Sequence, residues 1–305
     1  MSNETLGQGI GGTLLFEYAI VAGVLFGLFY SFLSIGLNLV FGVQRIVNLA
    51  HGDVIMIGGF ASWELYYTYH MNPLISVVVV IPPTVLVGYI IYRLVVGPLS
   101  KAKDPEMLSL ILFFGVSQIL EALVTIFLGN NQRSIPDSSL ISKPIQFLGQ
   151  SYPGVWWIVA GASIPMMGLI LLYLYKTKLG TATRAIMADS VEAAAVGIDV
   201  RKVSAITFGV GLGITASVGA IAPFMLGGVD PSEGVNLTIL AFAVIVIGSL
   251  GNMSGTIVGG VIFGLALELT QLYIPSWSSL IPYALLLLVL LVKPSGVLGR
   301  RMRSA

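Results

Sequence analysis

The chain has 305 residues and a mean hydropathy of +0.95; 56% of its residues are hydrophobic and only 10% are charged. This composition excludes a soluble domain with a hydrated surface and is typical of a polytopic membrane protein. The absence of cysteine excludes disulfides, thiolate metal sites and thiol nucleophiles. The two histidines lie far apart in the chain, so a zinc cluster is not expected either.

Apolar runs long enough to cross a bilayer recur along the chain. A spanning helix needs about 20 mostly apolar residues, and we predict an all-α fold with about nine such helices, or eight to ten if a short run is lost or added. The whole chain, 1–305, is expected to form one transmembrane domain, in which prolines such as Pro165 and Pro223 break some spans. The predicted spans are Tyr18–Val43, Ile46–Tyr67, Ile75–Val96, Leu108–Leu128, Trp156–Tyr175, Val203–Leu226, Leu237–Leu250, Thr256–Tyr273 and Leu280–Val292.

A charged stretch, Lys176–Lys202, interrupts the apolar runs. Lys and Arg collect in the cytoplasmic loops of membrane proteins. If the N-terminus is outside, every basic residue except Arg133 and Lys143 falls in a cytoplasmic connection or in the C-terminal tail. The charged stretch is then a cytoplasmic loop, the C-terminus is cytoplasmic, and the polar segment 129–154 is an external loop.

The charged stretch contains a sequence typical of a surface helix. Residues 182–196 are rich in helix formers, and Gly197 follows where a left-handed C-terminal cap would lie. A helix of about 15 residues is about 22 Å long, too short and too charged to span. We expect one buried side and one solvated side, and Asp199 to cap the next span. The buried side would hold Ile186, Val191 and Ala194 or Ala195, and the solvated side Arg184, Asp189 and Glu192. An ordinary amphipathic loop helix is the alternative to a functional role.

Several stretches resemble known transport proteins. Glu192-Ala193-Ala194 followed by Gly197 resembles the EAA loop of ABC importer permeases, although the spacing from Ala194 to Gly197 is one residue shorter than the usual pattern. The run Asn48-Leu49-Ala50-His51-Gly52-Asp53, continuing to Met56-Ile57-Gly58, resembles the second span of the branched-chain amino-acid permeases. The segment 248–255 and the tail 287–300 are similar to the same family. The resemblance covers Tyr18 to Arg300, nearly the whole chain.

This resemblance implies the permease subunit of an importer for branched-chain amino acids in a bacterial or archaeal cytoplasmic (inner) membrane. Its implied partners are a second permease subunit in a heterodimer, two ABC ATPase subunits, and an external or periplasmic binding protein. The chain would need no cofactor of its own, because the partner ATPase uses the ATP. Independently, the sequence lacks a G-x-x-x-x-G-K-[ST] phosphate loop, so we do not expect it to be an enzyme. The implied ATPase-coupling residues are Arg184, Asp189, Glu192, Ala193, Ala194 and Gly197.

Polar residues inside apolar runs are candidates for the transport path, because such residues are costly in lipid and usually face a cavity or a partner. Asn48, His51 and Asp53 are expected near the cytoplasmic start of the second span. Gln118, Glu121 and Thr125 share one face of the fourth span, and Glu268 and Gln271 lie near the outer end of the eighth. The alternatives are structural: His51 would bond a loosened helix start, and Glu121 would be an internally bonded residue.

Other functions remain open at this point. The same architecture could move urea, short amides, other hydrophobic amino acids or small organic acids such as aromatic acids. A proton-coupled secondary transporter could use Glu121, Asp53 or His51. An intramembrane enzyme is disfavoured because no catalytic constellation is apparent. Nucleic-acid binding is not expected, since the basic residues follow membrane sidedness and form no surface stripe.

Overall fold

The computed structural model describes residues 3–299 except 101 and 142, and the side chains among these from residue 14 onward except 138. The fold is all-α, as predicted, with one small hairpin. The helices are α1 Asn3–Gln44, α2 His51–Tyr69, α3 Pro73–Val79, α4 Ile81–Ile91, α5 Gly97–Leu99, α6 Pro105–Leu128, α7 Gly154–Lys176, α8 Lys178–Ala188, α9 Ser190–Ala195, α10 Val200–Gly219, α11 Ala222–Leu226, α12 Gly234–Gly248, α13 Met253–Tyr273 and α14 Ile281–Val292. The strands are β1 Ile145–Phe147 and β2 Gln150–Tyr152.

Eight helical segments within the described residues are long and apolar enough to cross a membrane. Each of them overlaps one of the runs predicted from hydropathy. Helices α3 to α5 together form one of these segments, in which the π-helical turn Tyr92–Val96 joins α4 to α5. The chain is therefore a multi-pass membrane protein. The second predicted span corresponds to α2, which has 19 residues but is more polar because it carries His51, Asp53 and Glu64.

Of the two prolines named as breakers, only Pro223 lies at a break in a span. Pro165 lies inside α7 without ending it. By contrast, the predicted span Val203–Leu226 is divided at Ala220 and Ile221, and Pro223 lies in the first turn of the short helix α11, where proline is tolerated.

Helix α1 lies at the centre of the bundle and packs against α13, α10, α7 and α12. Its contact with α13 depends on small residues. A Cβ placed on Gly27 would lie 2.7 Å from the Cα of Val261, and one on Gly264 would lie 2.5 Å from the carbonyl oxygen of Gly23. Glycine is therefore required for the two backbones to come this close, as in other membrane helix pairs.

Helix α2 begins in the interior of the bundle. The chain leaves α1 at Gln44, and the residues that follow return toward the bundle interior before α2 starts at His51. The His51 Nε2 nitrogen lies 3.3 Å from the carbonyl oxygen of Leu33, which is about 16 Å along α1 from Gln44. The expected position of His51 at the end of the bundle is therefore wrong, because tertiary hydrogen bonds draw the segment inward.

The predicted external loop contains local structure. After α6 ends at Leu128, the chain forms a short 3₁₀ turn and then the antiparallel pair β1–β2, with Ile145 opposite Tyr152. Earlier in the loop, Arg133 pairs with Val229 through two backbone hydrogen bonds of 2.9 and 2.8 Å. The loop is thus tied to the connection between α11 and α12.

The C-terminal tail packs on the end of α12. The N–H groups of Val297 and Leu298 donate to the carbonyls of Ile247 and Gly248 at 2.8 and 3.2 Å, and Asn252 Nδ2 donates to Leu298 at 3.2 Å. These bonds satisfy carbonyls that a helix end leaves free. Two of the stretches that carried the family resemblance, 248–255 and 287–300, are therefore neighbours in space. The basic residues Lys101, Arg300, Arg301 and Arg303 lie outside the described residues.

Candidate functional site

The charged stretch folds into two helices. The single helix predicted over 182–196 is wrong, because the chain breaks at Asp189 between α8 and α9. Asp189 Oδ1 accepts hydrogen bonds from the N–H groups of Val191 and Glu192 at 2.7 and 3.0 Å, which makes it the N-cap of α9. These two bonds, with a smaller contribution from Arg45, lower the pKa of Asp189. The break is thus a capped helix start.

Helix α8 is anchored on the membrane helices. Ile186 is buried in a cluster with Val43, Ala193 and Val203, and the Met187 methyl group reaches Gly42. The Thr183 hydroxyl lies 3.1 Å from that of Thr207 and 3.2 Å from that of Tyr173. Helix α8 is therefore packed directly against α1, α7 and α10.

The implied coupling residues form an exposed surface around α9. Arg184, Asp189, Glu192, Ala194 and Gly197 are exposed, whereas Ala193 is buried. Arg184 is turned back to α7, where its Nε donates to the Leu174 carbonyl at 2.9 Å.

The predicted buried side is only partly correct. Val191 is 77% exposed, and Ala194 and Ala195 are exposed as well, because the break at Asp189 changes the helix phase and turns Ala193 inward. Gly197 has a φ of +85°, as its predicted capping role requires, and Asp199 caps α10 through the N–H of Lys202.

Asn48, His51 and Asp53 are all buried in the bundle interior. His51 lies between α1 and α10: Nε2 faces the Leu33 carbonyl at 3.3 Å, and Nδ1 faces the Thr215 hydroxyl at 3.4 Å. Since a carbonyl only accepts, Nε2 carries a proton toward Leu33, while the Thr215 hydroxyl donates to the Gly211 carbonyl at 2.8 Å. Asn48 Oδ1 accepts from the Ala50 N–H at 3.0 Å. These contacts hold Asn48 and His51 in place at the start of α2.

Asp53 lies where the first turns of α2 and α12 meet. The Gly52 N–H donates to the Thr238 hydroxyl at 2.8 Å, and a Cβ on Gly234 would overlap Asp53 Oδ1. Asp53 Oδ2 and the Ser117 hydroxyl of α6 are buried close to each other, without a well-formed hydrogen bond between them. Asp53 is thus a buried acid whose second oxygen is satisfied only in part, by Ser117.

The polar face of α6 is divided. Glu121 and Thr125 are half-buried, and Glu121 lies near Asp53, whereas Gln118 is exposed. On α13, Glu268 is half-buried and Gln271 is exposed. The structure therefore brings Glu121 to the cluster around Asp53 and leaves Gln118 outside it.

A cavity of about 170 Å³ lies between α2, α11 and α12. Its lining includes Gln132 from the external loop and Glu233 from the turn before α12. Both residues lie outside the apolar runs, which is why they are absent from the predicted site. An acid placed just before an apolar helix is the signal that could have identified Glu233. Within the described part of the chain, no group of three His, Asp or Glu residues is arranged to hold a metal ion.

Comparisons with known proteins give one family. The family model described as "Branched-chain amino acid transport system / permease component" matches residues 19–290. The high-affinity branched-chain amino acid transport system permease protein LivH of Escherichia coli (strain K12) is 29% identical over 302 residues, covering 94% of this chain and 96% of LivH.

Two relatives from one archaeon, Methanocaldococcus jannaschii, also match. The probable branched-chain amino acid transport permease LivH is 27% identical over 304 residues, covering 95% of this chain and 93% of its own length. The probable permease LivM is 23% identical over 326 residues, covering 90% and 92%. No solved structure matches the chain significantly. The match of the family model over most of the sequence shows that the chain belongs to the permease components of branched-chain amino acid transport systems.

Proposed function

We propose that the chain is the membrane-spanning subunit of an ATP-binding-cassette importer that carries branched-chain and related hydrophobic amino acids. The family match over 19–290 is the observation that supports this proposal. An external binding protein would deliver the substrate, and a separate ATPase would supply the energy. The membrane would be the cytoplasmic membrane of a bacterium or archaeon.

Reconstitution in liposomes tests this function. The complex of permeases and ATPases should take up leucine only with ATP and the binding protein, and uptake should survive a protonophore. A proton-coupled transporter using Asp53, Glu121 or His51 would instead work without ATP and fail when the gradient collapses. Competition of leucine uptake by urea, short amides or organic acids would identify the alternative substrates.

The exposed surface around α9 is the docking site that we propose for the ATPase. It combines the acids Asp189 and Glu192 with the exposed apolar side chains of Val191 and Val196. It rests on α8, which is packed against three membrane helices, so a bound ATPase could move them. Closure of the ATPases would then shift the permease between inward-facing and outward-facing states.

Charge reversal tests the docking site. Glu192→Lys should reduce recovery of the ATPase in a detergent pull-down, while membrane insertion is unchanged. Glu106→Lys is the matched control, because Glu106 is an exposed acid in the first turn of α6. Unchanged ATPase recovery together with unchanged uptake would contradict the assignment.

The exposed face of α6 is where we propose that the second permease subunit packs. Gln118 lies near the middle of this 24-residue helix and is exposed, which would be unfavourable in lipid. A protein partner could hydrogen-bond its amide. The presence of both LivH and LivM in one archaeon supports a heterodimer.

Photo-crosslinking tests this interface. A benzophenone attached to Gln118→Cys should crosslink the second permease, whereas one attached to Leu291→Cys, 75% exposed on α14, should not. The natural absence of cysteine makes each label unique. Crosslinking from Leu291 but not from Gln118 would place the interface elsewhere.

A further inference from the structure

We propose that the cavity between α2, α11 and α12 is the site at which the permease holds the amino acid, with the aliphatic side chain inside and the ammonium group at Glu233. The inference rests on the proposed function and adds the residues that recognise the substrate. Neither Glu233 nor Gln132 belongs to the polar clusters described above.

Most of the cavity wall is apolar. The wall is formed by α2, α11, α12 and the connection between α11 and α12. Its apolar lining residues are Ile55, Met56, Ala222, Leu226, Val229, Leu237 and Leu240. An aliphatic side chain would exchange water for these contacts at no polar cost. A charged side chain would lose its hydration without an ion-pair partner among these residues. The wall therefore favours hydrophobic amino acids over polar solutes such as urea.

The polar groups of the cavity suit a zwitterion. Glu233 is exposed, and among the described residues its carboxylate accepts only one long hydrogen bond, 3.4 Å from Asn236 Nδ2, so it can accept an ammonium group. The Gln132 side chain lies against Gly228, where its amide nitrogen can donate to the substrate carboxylate. An apolar wall with one acid and one amide thus matches a neutral amino acid with an aliphatic side chain.

The cavity can be closed from the external loop. The lining residue Val229 forms the two backbone hydrogen bonds to Arg133. The Arg133 guanidinium donates to the Leu128 carbonyl at 2.9 Å, and its central carbon lies 4.5 Å from the centre of the Trp63 ring. Opening this short pairing would expose the side of the cavity that holds Gln132. The same connection therefore both lines the cavity and links it to the loop.

Substrate protection gives a direct test of binding. Leu240→Cys would be the only cysteine in the chain and lines the cavity. In the reconstituted complex, excess leucine should slow its reaction with a small methanethiosulfonate about tenfold. 4-Methylpentanoate, which lacks the ammonium group, should protect little. Adding Glu233→Gln to the Leu240→Cys variant should remove the protection by leucine. In both cases the charge-assisted hydrogen bond is lost, and such a bond contributes about a factor of ten or more in affinity. Equal labelling with and without leucine would overturn the proposal.

Uptake measurements give an independent test. Glu233→Gln and the cavity-filling Leu237→Phe should each lower leucine uptake per ATP hydrolysed. Glu64→Gln removes an exposed acid of α2, and Val235→Phe adds bulk to an exposed position of α12; both controls should transport normally. If Glu233 only stabilises the start of α12, Glu233→Gln will lower thermal stability but leave protection of Leu240→Cys intact, which overturns the proposal. If the proposed transport function itself is wrong, the result will be different: the unmodified complex will show no ATP-dependent uptake.

Discussion

The junction of α2 and α12 depends on single residues. Two helix N-termini meet inside the bundle, where free N–H groups need partners. Thr238 meets this need, because its hydroxyl accepts from the Gly52 N–H and lies 3.0 Å from the carbonyls of Leu49 and Gly234. One hydroxyl thus joins both helices to the segment that precedes α2.

Gly52→Ala should destabilise this junction. The added Cβ would overlap the carbonyl oxygen of Gly234, and backbone cannot move aside as a flexible side chain can. Overpacking of this kind costs about 1–3 kcal/mol, so thermal unfolding of the purified protein in detergent should begin at a lower temperature. Gly115→Ala is the control, because its Cβ would meet nothing within 4 Å. Equal unfolding temperatures for the two variants would contradict the tight junction.

The N-cap residue Asp189 should control the local stability of α9. Its carboxylate caps α9, so Asp189→Ala should increase amide exchange over 190–195, whereas Asp189→Asn, also a good N-cap, should preserve most of the protection. Because its pKa is lowered in the folded protein, the contribution of the cap is fully present above the ordinary pKa of aspartate and is lost as pH falls through the lowered value. In the unmodified protein, amide exchange over 190–195 relative to the intrinsic rate should therefore be unchanged from about pH 7 to pH 5. Hydrogen exchange with mass spectrometry measures both effects, and faster exchange in Asp189→Asn than in Asp189→Ala would contradict them.

Among the elements, α8 connects the exposed coupling surface to the interior. It touches the last turn of α1 through Met187 and Gly42, just before the chain turns back toward His51. A shift of α8 would therefore reach the re-entering segment through one packed contact. Rigid, closely packed contacts transmit such displacements because the packing leaves little room to absorb them.

Ile186→Ala should loosen this connection. Ile186 is 3% exposed, and its truncation leaves a cavity whose cost for a buried isoleucine is about 2–5 kcal/mol. In the reconstituted complex, ATP hydrolysis should continue while leucine uptake per ATP decreases. Leu179→Ala removes a comparable side chain from an exposed position of the same helix and should have little effect. A normal transport ratio for Ile186→Ala would show that α8 does not carry the coupling.

The sequence predicted the apolar elements well and their depth poorly. Composition and run length determine which segments enter a membrane, so α1, α6, α7 and α13 were located correctly. The return of the chain to Leu33 could not be predicted, because it depends on hydrogen bonds between residues distant in sequence. The break at Asp189 had a local signal, an aspartate able to cap, but the strong helix formers around it favoured a continuous helix. The cavity was missed because it is assembled from three elements.

Over the whole molecule, the asymmetry of basic charge predicts the orientation in the membrane. If the segment 45–50 and α2 together make one further crossing, the eight spanning helices become nine crossings, and the first and last described residues lie on opposite sides. Lys176 and Lys202 flank the end of the molecule that holds α8 and α9, whereas Arg133 and Lys143 lie in the loop at the other end. The positive-inside rule then places α8 and α9 in the cytoplasm.

Single cysteines on either side of α7 measure this orientation in the otherwise cysteine-free chain. Ser151 in the hairpin and Ser190 at the start of α9 are both exposed, so each cysteine variant should react once its side of the membrane is accessible. With an impermeant maleimide and intact cells, or spheroplasts if an outer membrane is present, Ser151→Cys should be labelled, and Ser190→Cys only after permeabilisation. The reverse labelling pattern would show that the orientation is opposite to the predicted one. The proposed ATPase surface would then lie outside, which would rule out the coupling role of α9. Labelling of both positions from outside would show that α7 does not cross the bilayer.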